Sequence, residues 1–359
     1  MKFYYCIESN GENWERGDKR IIECVTTPKQ AIKQNIIFES DIEQSWRHFY
    51  VTDEYIFYCK NGYHICLFNR KTCVDIHIAK ICSHNHFIID DIFYFYDQDD
   101  RIPLCCITLQ DILESYYNPL QRKVNTYDSS FRAFAEKVKI LVDKNENIFP
   151  YANSQNDIAV IHSNGGFFTA KETREYESER MQSVVFTKTD YSGRSYDTVY
   201  VKHSKYNKVH FDVCDDNVYA AVDERDDSMF NIQDRCSQIV KIVNKHGYED
   251  FLTLKGGFSQ NIGDNYIGVI QATKWMVAVL IHSCAEDRVE FYTLNKRRIC
   301  SIPSSYSNIY KVADGAFVLT SNAGSYLYEW QSKPNAAGDM YDIKTKLYDG
   351  MILAVQPNV

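Results

Sequence analysis

Apolar and aromatic residues in this chain come in short runs, separated by polar turns rich in Asp, Asn and Gly. Runs of this length that alternate or stay continuously apolar read as β-strands. Phe3–Glu8 and Arg20–Thr27 are the first two, and Asn35–Glu39, His48–Thr52, Tyr55–Lys60, Tyr63–Asn69 and Cys73–Ile78 follow. Asn61-Gly62 marks a tight hairpin between two of these. Phe87–Tyr96 and Ile102–Leu109 form the next hairpin, and strand text resumes at Asp157. It continues through Val184–Thr189, Thr198–His203, Val209–Val213, Ile239–Val243, Tyr266–Gln271, Met276–His282, Arg288–Leu294, Arg298–Ile302, Ala316–Thr320, Ser325–Trp330 and Met340–Thr345 to Met351–Gln356. Lys171–Met181 is highly charged and reads as an exposed loop or short helix; Asp223–Arg235 reads as a polar connection. One region breaks the pattern. Between residues 111 and 147, Phe131, Phe134, Ala135, Val138, Leu141 and Val142 recur at helical spacing behind Ser129 or Ser130, which predicts an amphipathic helix inserted between units.

A short phrase returns along the chain: Asp, any residue, then two apolar residues opening a strand. It occurs at Asp53, Asp90, Asp157, Asp216, Asp264, Asp314 and Asp349, separated by 35 to 67 residues. Asp197 also fits, 19 residues before Asp216, so the phrase counts only together with its spacing. Asp tolerates the conformations of a tight corner and bonds its own backbone there, so these seven residues are predicted to be structural turn residues. Seven units over 359 residues are about 51 residues each, close to the roughly 40–50 residues of a four-stranded propeller blade. The prediction is an all-β fold: a seven-bladed β-propeller in one domain, residues 1–359, with the 111–147 helical insertion. The N-terminal strands and Met351–Gln356 would share one sheet and close the ring, which removes open edges.

On the seven Asp turns and the terminal strands, the chain resembles the WD-repeat-like seven-bladed β-propellers over essentially its whole length. None of Trp14, Trp46, Trp275 and Trp330 is followed by Asp, and glycine doublets occur only at Gly165-Gly166 and Gly256-Gly257. The resemblance therefore implies an architecture and carries over no site residues.

Composition refines this picture. The 27 Tyr and 20 Phe favour strands. A net charge of −8 disfavours nucleic acid or an anionic membrane as the main partner. The 12 Cys lie mostly within apolar strand text and read as buried thiols of a reducing compartment, which places the expected location in the cytoplasm. The N-terminal Met1-Lys2-Phe3-Tyr4-Tyr5-Cys6 carries no apolar signal core.

Candidate chemistry is sparse. Cys73, Asp75 and His77 would share one strand face, and Cys82, His84 and His86 another; the latter three are the candidate metal ligands, of zinc-binding type but without the paired spacing of a closed zinc site. Asp97, Asp99 and Asp100 lack the Gly and distal Glu of a calcium loop and read as a solvated turn. His162 has no accompanying nucleophile motif, and no phosphate-binding glycine loop occurs. No catalytic residue and no cofactor are expected. The leading expectation is a non-catalytic scaffold or adaptor whose partner is a protein or a macromolecular assembly. Two others stand beside it: a carbohydrate-active hydrolase or lyase using carboxylates at the central channel, and a ribosome- or RNA-associated factor using the basic corner Lys296-Arg297-Arg298.

Overall fold

The computed structural model describes residues 1–8, 19–27, 31–40, 49–60, 64–80, 86–89, 92–96, 104–117, 137, 139–142, 160–163, 166–172, 181–190, 195–204, 209–222, 236–244, 246–255, 266–283, 286–303, 305–334 and 339–357. These residues form seven antiparallel sheets of four strands each. In chain order the strands are β1 (Lys2–Glu8), β2 (Lys19–Val25) and β3 (Lys33–Ser40); β4 (Phe49–Val51), β5 (Tyr55–Lys60), β6 (His64–Asn69) and β7 (Val74–Lys80). The third group is β8 (His86–Ile89), β9 (Ile92–Tyr96), β10 (Leu104–Thr108), helix α1 (Leu109–Tyr117) and β11 (Lys139–Val142). Then come β12 (Val160–Ser163), β13 (Gly166–Glu172), β14 (Met181–Asp190) and β15 (Ser195–Ser204); β16 (His210–Cys214), β17 (Asn217–Val222), β18 (Cys236–Asn244) and β19 (Gly247–Lys255). Next are β20 (Tyr266–Ala272), β21 (Met276–His282), β22 (Arg288–Thr293) and β23 (Arg298–Pro303); and β24 (Asn308–Ala313), β25 (Ala316–Ser321), β26 (Gly324–Glu329), β27 (Ile343–Tyr348) and β28 (Ile352–Pro357). Six sheets are plain meanders of consecutive strands; the seventh has the order β28-β1-β2-β3, so the C-terminal strand pairs with the N-terminal one.

The chain divides into two compact units. The first is Met1–Asn147 with Ile352–Val359, and the second is Ile148–Met351. In the first, Tyr4, Cys6, Ile21 and Ala354 of the β28-β1-β2-β3 sheet pack with Phe49, Val51, Ile56 and Tyr58 of the next sheet. In the second unit three such interfaces follow one another. Phe168, Val184 and Phe186 pack on Val218, Ala220 and Val222; Tyr219 and Ala221 pack with Val277, Val279 and Ile281; Met276, Ala278 and Leu280 pack with Phe317 and Leu319.

Where the second strand of a sheet is described along its whole length, as in β1, β17, β21 and β25, it is buried on both faces. On β21 the odd-numbered Val277, Val279 and Ile281 join one core and the even-numbered Met276, Ala278 and Leu280 the other. Side chains alternate between faces along a strand, so a strand with two covered faces must read as an uninterrupted apolar run. The outermost strands have no such demand: β3 is largely exposed, with Ile36 at 55%.

Polar side chains join the first strands of successive sheets. Asp212 on β16 accepts the N–H of Ala272 on β20 at 2.7 Å. Gln271 on β20 accepts the N–H of Lys311 on β24 at 3.0 Å, and Gln356 on β28 accepts the N–H of Val51 on β4 at 2.7 Å. The same device recurs in both units: one side-chain oxygen satisfies a backbone donor that its own ladder leaves free. Asp212, 3% exposed, also takes the Lys311 ammonium at 2.8 and 2.9 Å.

The helix departs from the sequence expectation. It spans Leu109–Tyr117 and lies between the third and fourth strands of one sheet, β10 and β11, rather than between sheets. Thr108 caps it: its Oγ1 accepts the N–H of Asp111 at 3.0 Å and donates to the Asp111 carboxylate at 2.7 Å, which holds that carboxyl below its usual range. Leu109 and Ile112 are its buried face. Leu141 and Val142, expected in the helix, belong to β11 (Lys-Ile-Leu-Val), where pairing with β10 overrides the helical spacing. Phe131, Phe134, Ala135 and Val138, and both candidate caps, lie outside the described residues.

Two predictions follow from this frame. Asp212→Ala strands the Lys311 ammonium and the Ala272 N–H, and is expected to lower the unfolding free energy in urea by about 2 kcal/mol, with Asp212→Asn costing less. Burial pushes the Cys6 thiol from 9.0 up to about 12, so the folded state holds its proton where the unfolded state releases it. This contribution is complete below pH 9 and is lost as pH rises toward 12, at about 1.4 kcal/mol per pH unit. Urea titrations between pH 8 and 11 should therefore show a shallower fall for Cys6→Ala than for the parent.

Candidate binding site

A cavity of about 240 Å³ opens between two sheets of the second unit. Phe168 on β13, Phe186 on β14, Val199 on β15 and Val243 on β18 form its apolar walls; Lys188, Asp216, Asn217, Asn244 and His246 form its polar part. Its floor is rigid. Phe186, 1% exposed, stacks edge-to-face on Phe211 with centroids 5.6 Å apart.

The rim is made by two hairpin turns. At the first, Cys214 pairs with Asn217 across Asp215-Asp216, and Asp215 adopts a positive φ of 53°, which Asp tolerates. At the second, Asn244 pairs with Gly247; the Asn244 side chain accepts the N–H of His246 at 2.9 Å, and Gly247 takes a φ of 118° that a side chain would strain. Lys188 leans over the Phe168 ring, 5.8 Å from its centroid, and pairs with Asp216. The cation is recessed at 20% exposed, while the Asp216 carboxylate stands out at 73%.

The predicted turn residues fall into two groups. Asp53, Asp216 and Asp314 lie between the first and second strands of their sheets, and Asp349 lies before β28, the first strand of its sheet. Asp90, Asp157 and Asp264 lie outside the described residues; the strands after them begin at Ile92, Val160 and Tyr266, one second strand and two first strands. The phrase thus marks entry to either inner strand, which accounts for its uneven spacing. At two of the turns that lead into a second strand the bonding side chain is a threonine: Thr52 Oγ1 accepts the N–H of Tyr55 at 3.0 Å, and Thr273 Oγ1 that of Met276 at 3.2 Å. The carboxylates of Asp216 and Asp314 reach the preceding sheet, to Lys188 and to the N–H of Lys274 at 3.2 Å.

Of the candidate metal ligands, Cys82 and His84 lie outside the described residues, and His86 is placed only as the first residue of β8. Cys73 is not on a strand face with Asp75: it sits in the preceding turn at φ 54°, exposed. Asp75 accepts the Tyr58 hydroxyl at 2.5 Å. Among the described residues no group of three His, Cys, Asp or Glu could hold a metal ion. The basic corner is engaged: Lys296 binds Glu249 at 3.0 Å and the Asp250 carbonyl at 2.6 Å, and Arg298 reaches Glu290 at 3.4 Å. Glu290, 4% exposed, also takes Arg288 at 2.8 Å and the Tyr292 hydroxyl, whose own proton is held well above the usual phenol range by burial and by that bond. No helix among the described residues is long and apolar enough to cross a membrane.

No family model and no curated protein matches the chain. Solved structures do resemble it. The computationally designed Ika8 protein is 9% identical, with 98% of this chain and 90% of that one covered at a TM-score of 0.50. The acylaminoacyl peptidase of Pyrococcus horikoshii is 10% identical over 96% of this chain, with a TM-score of 0.50; the match spans 50% of the peptidase. The β-propeller domain of the Trilobed protease of Pyrococcus furiosus is 8% identical, with 94% and 93% covered and a TM-score of 0.48. At such identities the likeness to the first two, at TM-scores of 0.50, is one of fold alone. Four-stranded meanders stacked face to face through doubly buried second strands are propeller blades, and the chain is a β-propeller protein.

Floor and rim of the cavity should respond differently to substitution. Phe186→Ala is expected to cost about 3–5 kcal/mol in urea unfolding. Asp216→Asn, removing one partner of an exposed ion pair, is expected to cost less than about 1 kcal/mol.

Proposed function

We propose that this protein is a non-catalytic scaffold or adaptor: a seven-bladed propeller, closed by its terminal strands, that binds a protein partner in the cytoplasm. The observation that carries the reading is the recess between β14–β15 and β17–β18, where an apolar floor meets a polar rim supplied by two turns. Small apolar recesses with a few convergent polar groups are where rigid scaffolds bind. The ring reading rests on seven four-stranded sheets and on the pairing of β28 with β1. The buried carboxylates Asp212 and Glu290 are neutralised by Lys311 and by Arg288 and Arg298, which suits a frame rather than a pair of carboxylates working on a glycosidic bond. The described cysteines are free thiols, and six of the eight are buried, in keeping with a reducing compartment.

The test is photocrosslinking in cells. A benzoylphenylalanine at Asn244, on the rim, should give one or a few discrete protein adducts, and the same group at the exposed Ile36 of β3 should not. Equal adduct patterns from both positions, or turnover of a polysaccharide panel by the purified chain above the buffer rate, would overturn the reading.

A further inference from the structure

We infer that the recess is a socket for one aromatic side chain of a protein partner, and that a Lys or Arg adjoining that residue in the partner binds the Asp216 carboxylate; this rests on the interaction reading above. Size sets the first limit. A dry cavity of about 150 Å³ accepts benzene, whereas drug-sized ligands and cofactors occupy about 300–1,000 Å³. At about 240 Å³ the recess holds a ring and little more. Its lining suits a ring as well: Phe168, Phe186, Val199 and Val243 are apolar, and Phe186 is held in place by its edge-to-face contact with Phe211, so an entering ring meets an apolar wall that is already packed.

Charge sets the second. Among the described residues, Lys188 is recessed over Phe168 and already paired with Asp216, and Lys274 lies 3.7 Å from Asp215. What projects outward is anionic: the Asp216 side chain is 73% exposed and that of Asp215 62%. Lys188 fixes one side of the Asp216 carboxylate and leaves the rest of it to solvent. A carboxylate accepts about four hydrogen bonds, so a second cation can join without displacing the first. The net charge of −8 adds long-range attraction for a basic segment. The amides of Asn217 and Asn244 beside the ring site can bond the partner backbone.

Saturation-transfer NMR on the full chain tests this with three probes: N-acetyl-Phe-Arg-amide, N-acetyl-Phe-Glu-amide and N-acetyl-Ala-Arg-amide. Transfer to the ring is expected for both Phe peptides and none for the Ala peptide. Phe-Arg should bind roughly threefold tighter than Phe-Glu in low salt, with the gap closing at high salt. Val199→Trp, which fills the recess, should abolish transfer with the circular dichroism and Tm of the parent retained. Asp216→Asn, which leaves the floor intact, should keep ring transfer and lose the preference for Arg. Equal transfer from Val199→Trp and the parent, or absence of transfer from both Phe peptides, overturns the socket; Phe-Glu binding as well as Phe-Arg overturns the role of Asp216. Crosslinked adducts at Asn244 that persist without peptide binding sink the socket alone and leave the adaptor reading standing, whereas loss of both sinks both.

Discussion

In the sheets whose second strand is described along its whole length, β1, β17, β21 and β25, that strand is covered on both faces, and the rest of the structure depends on that constraint. A strand in this position has no solvated side, so its side chains are mostly apolar, and a polar one such as Thr320 needs a partner, here the Ser325 hydroxyl. β21 meets it with Met-Val-Ala-Val-Leu-Ile, whose alternate residues feed two different cores. β17 does so with Val-Tyr-Ala-Ala-Val, the Ala pair admitting larger neighbours on each side. What the apolar cores cannot do is fix the register of one sheet against the next, since burial is non-directional. That task falls to the single oxygens of Asp212, Gln271 and Gln356, each aimed at one backbone N–H of the following sheet.

This division explains what could be read in the chain and what could not. Doubly buried strands announce themselves, and the runs at Phe3, Tyr55, Met276 and Ala316 are all found where the apolar pattern puts them. Outer strands are less legible: β19 carries Glu249 and Asp250 in exposed positions and shows no period strong enough to mark it. β13 is the exception among the second strands: Gly-Phe-Phe-Thr-Ala-Lys-Glu has no continuous apolar run and is hidden between a glycine pair and a charged stretch. The helix was signalled by Thr108-x-x-Asp111, a capping box, yet the competing period at Phe131–Val142 was longer and pointed elsewhere. Fold class and terminal pairing were therefore open to reading, whereas element positions in the third sheet were not.

The candidate site was nearly invisible. Its walls come from residues 168 to 246, on five strands of two sheets, and no one of them is unusual in its local context. Only Asp216 stood out, and it did so as one of a repeated set. A repeated residue acquires an individual role through what is placed beside it: Asp216 faces a lysine over an aromatic ring, and Asp314 faces a backbone amide. The features peculiar to the site are Lys188 and the Asn244–Gly247 turn, and neither has a counterpart in the recurring phrase.

The pairing of β28 with β1 has a bearing on how this protein is made. Phe3–Ile7 take their ladder partners from Ile352–Pro357. At about 5–20 residues per second, the ribosome delivers that partner roughly 20–70 s after β1 has emerged. Throughout that interval β1, five of whose side chains are buried in the finished molecule, offers an unpaired apolar edge. The nascent chain is thus exposed to mispairing throughout that interval, because the sheet that β1 opens is completed only by Ile352–Pro357.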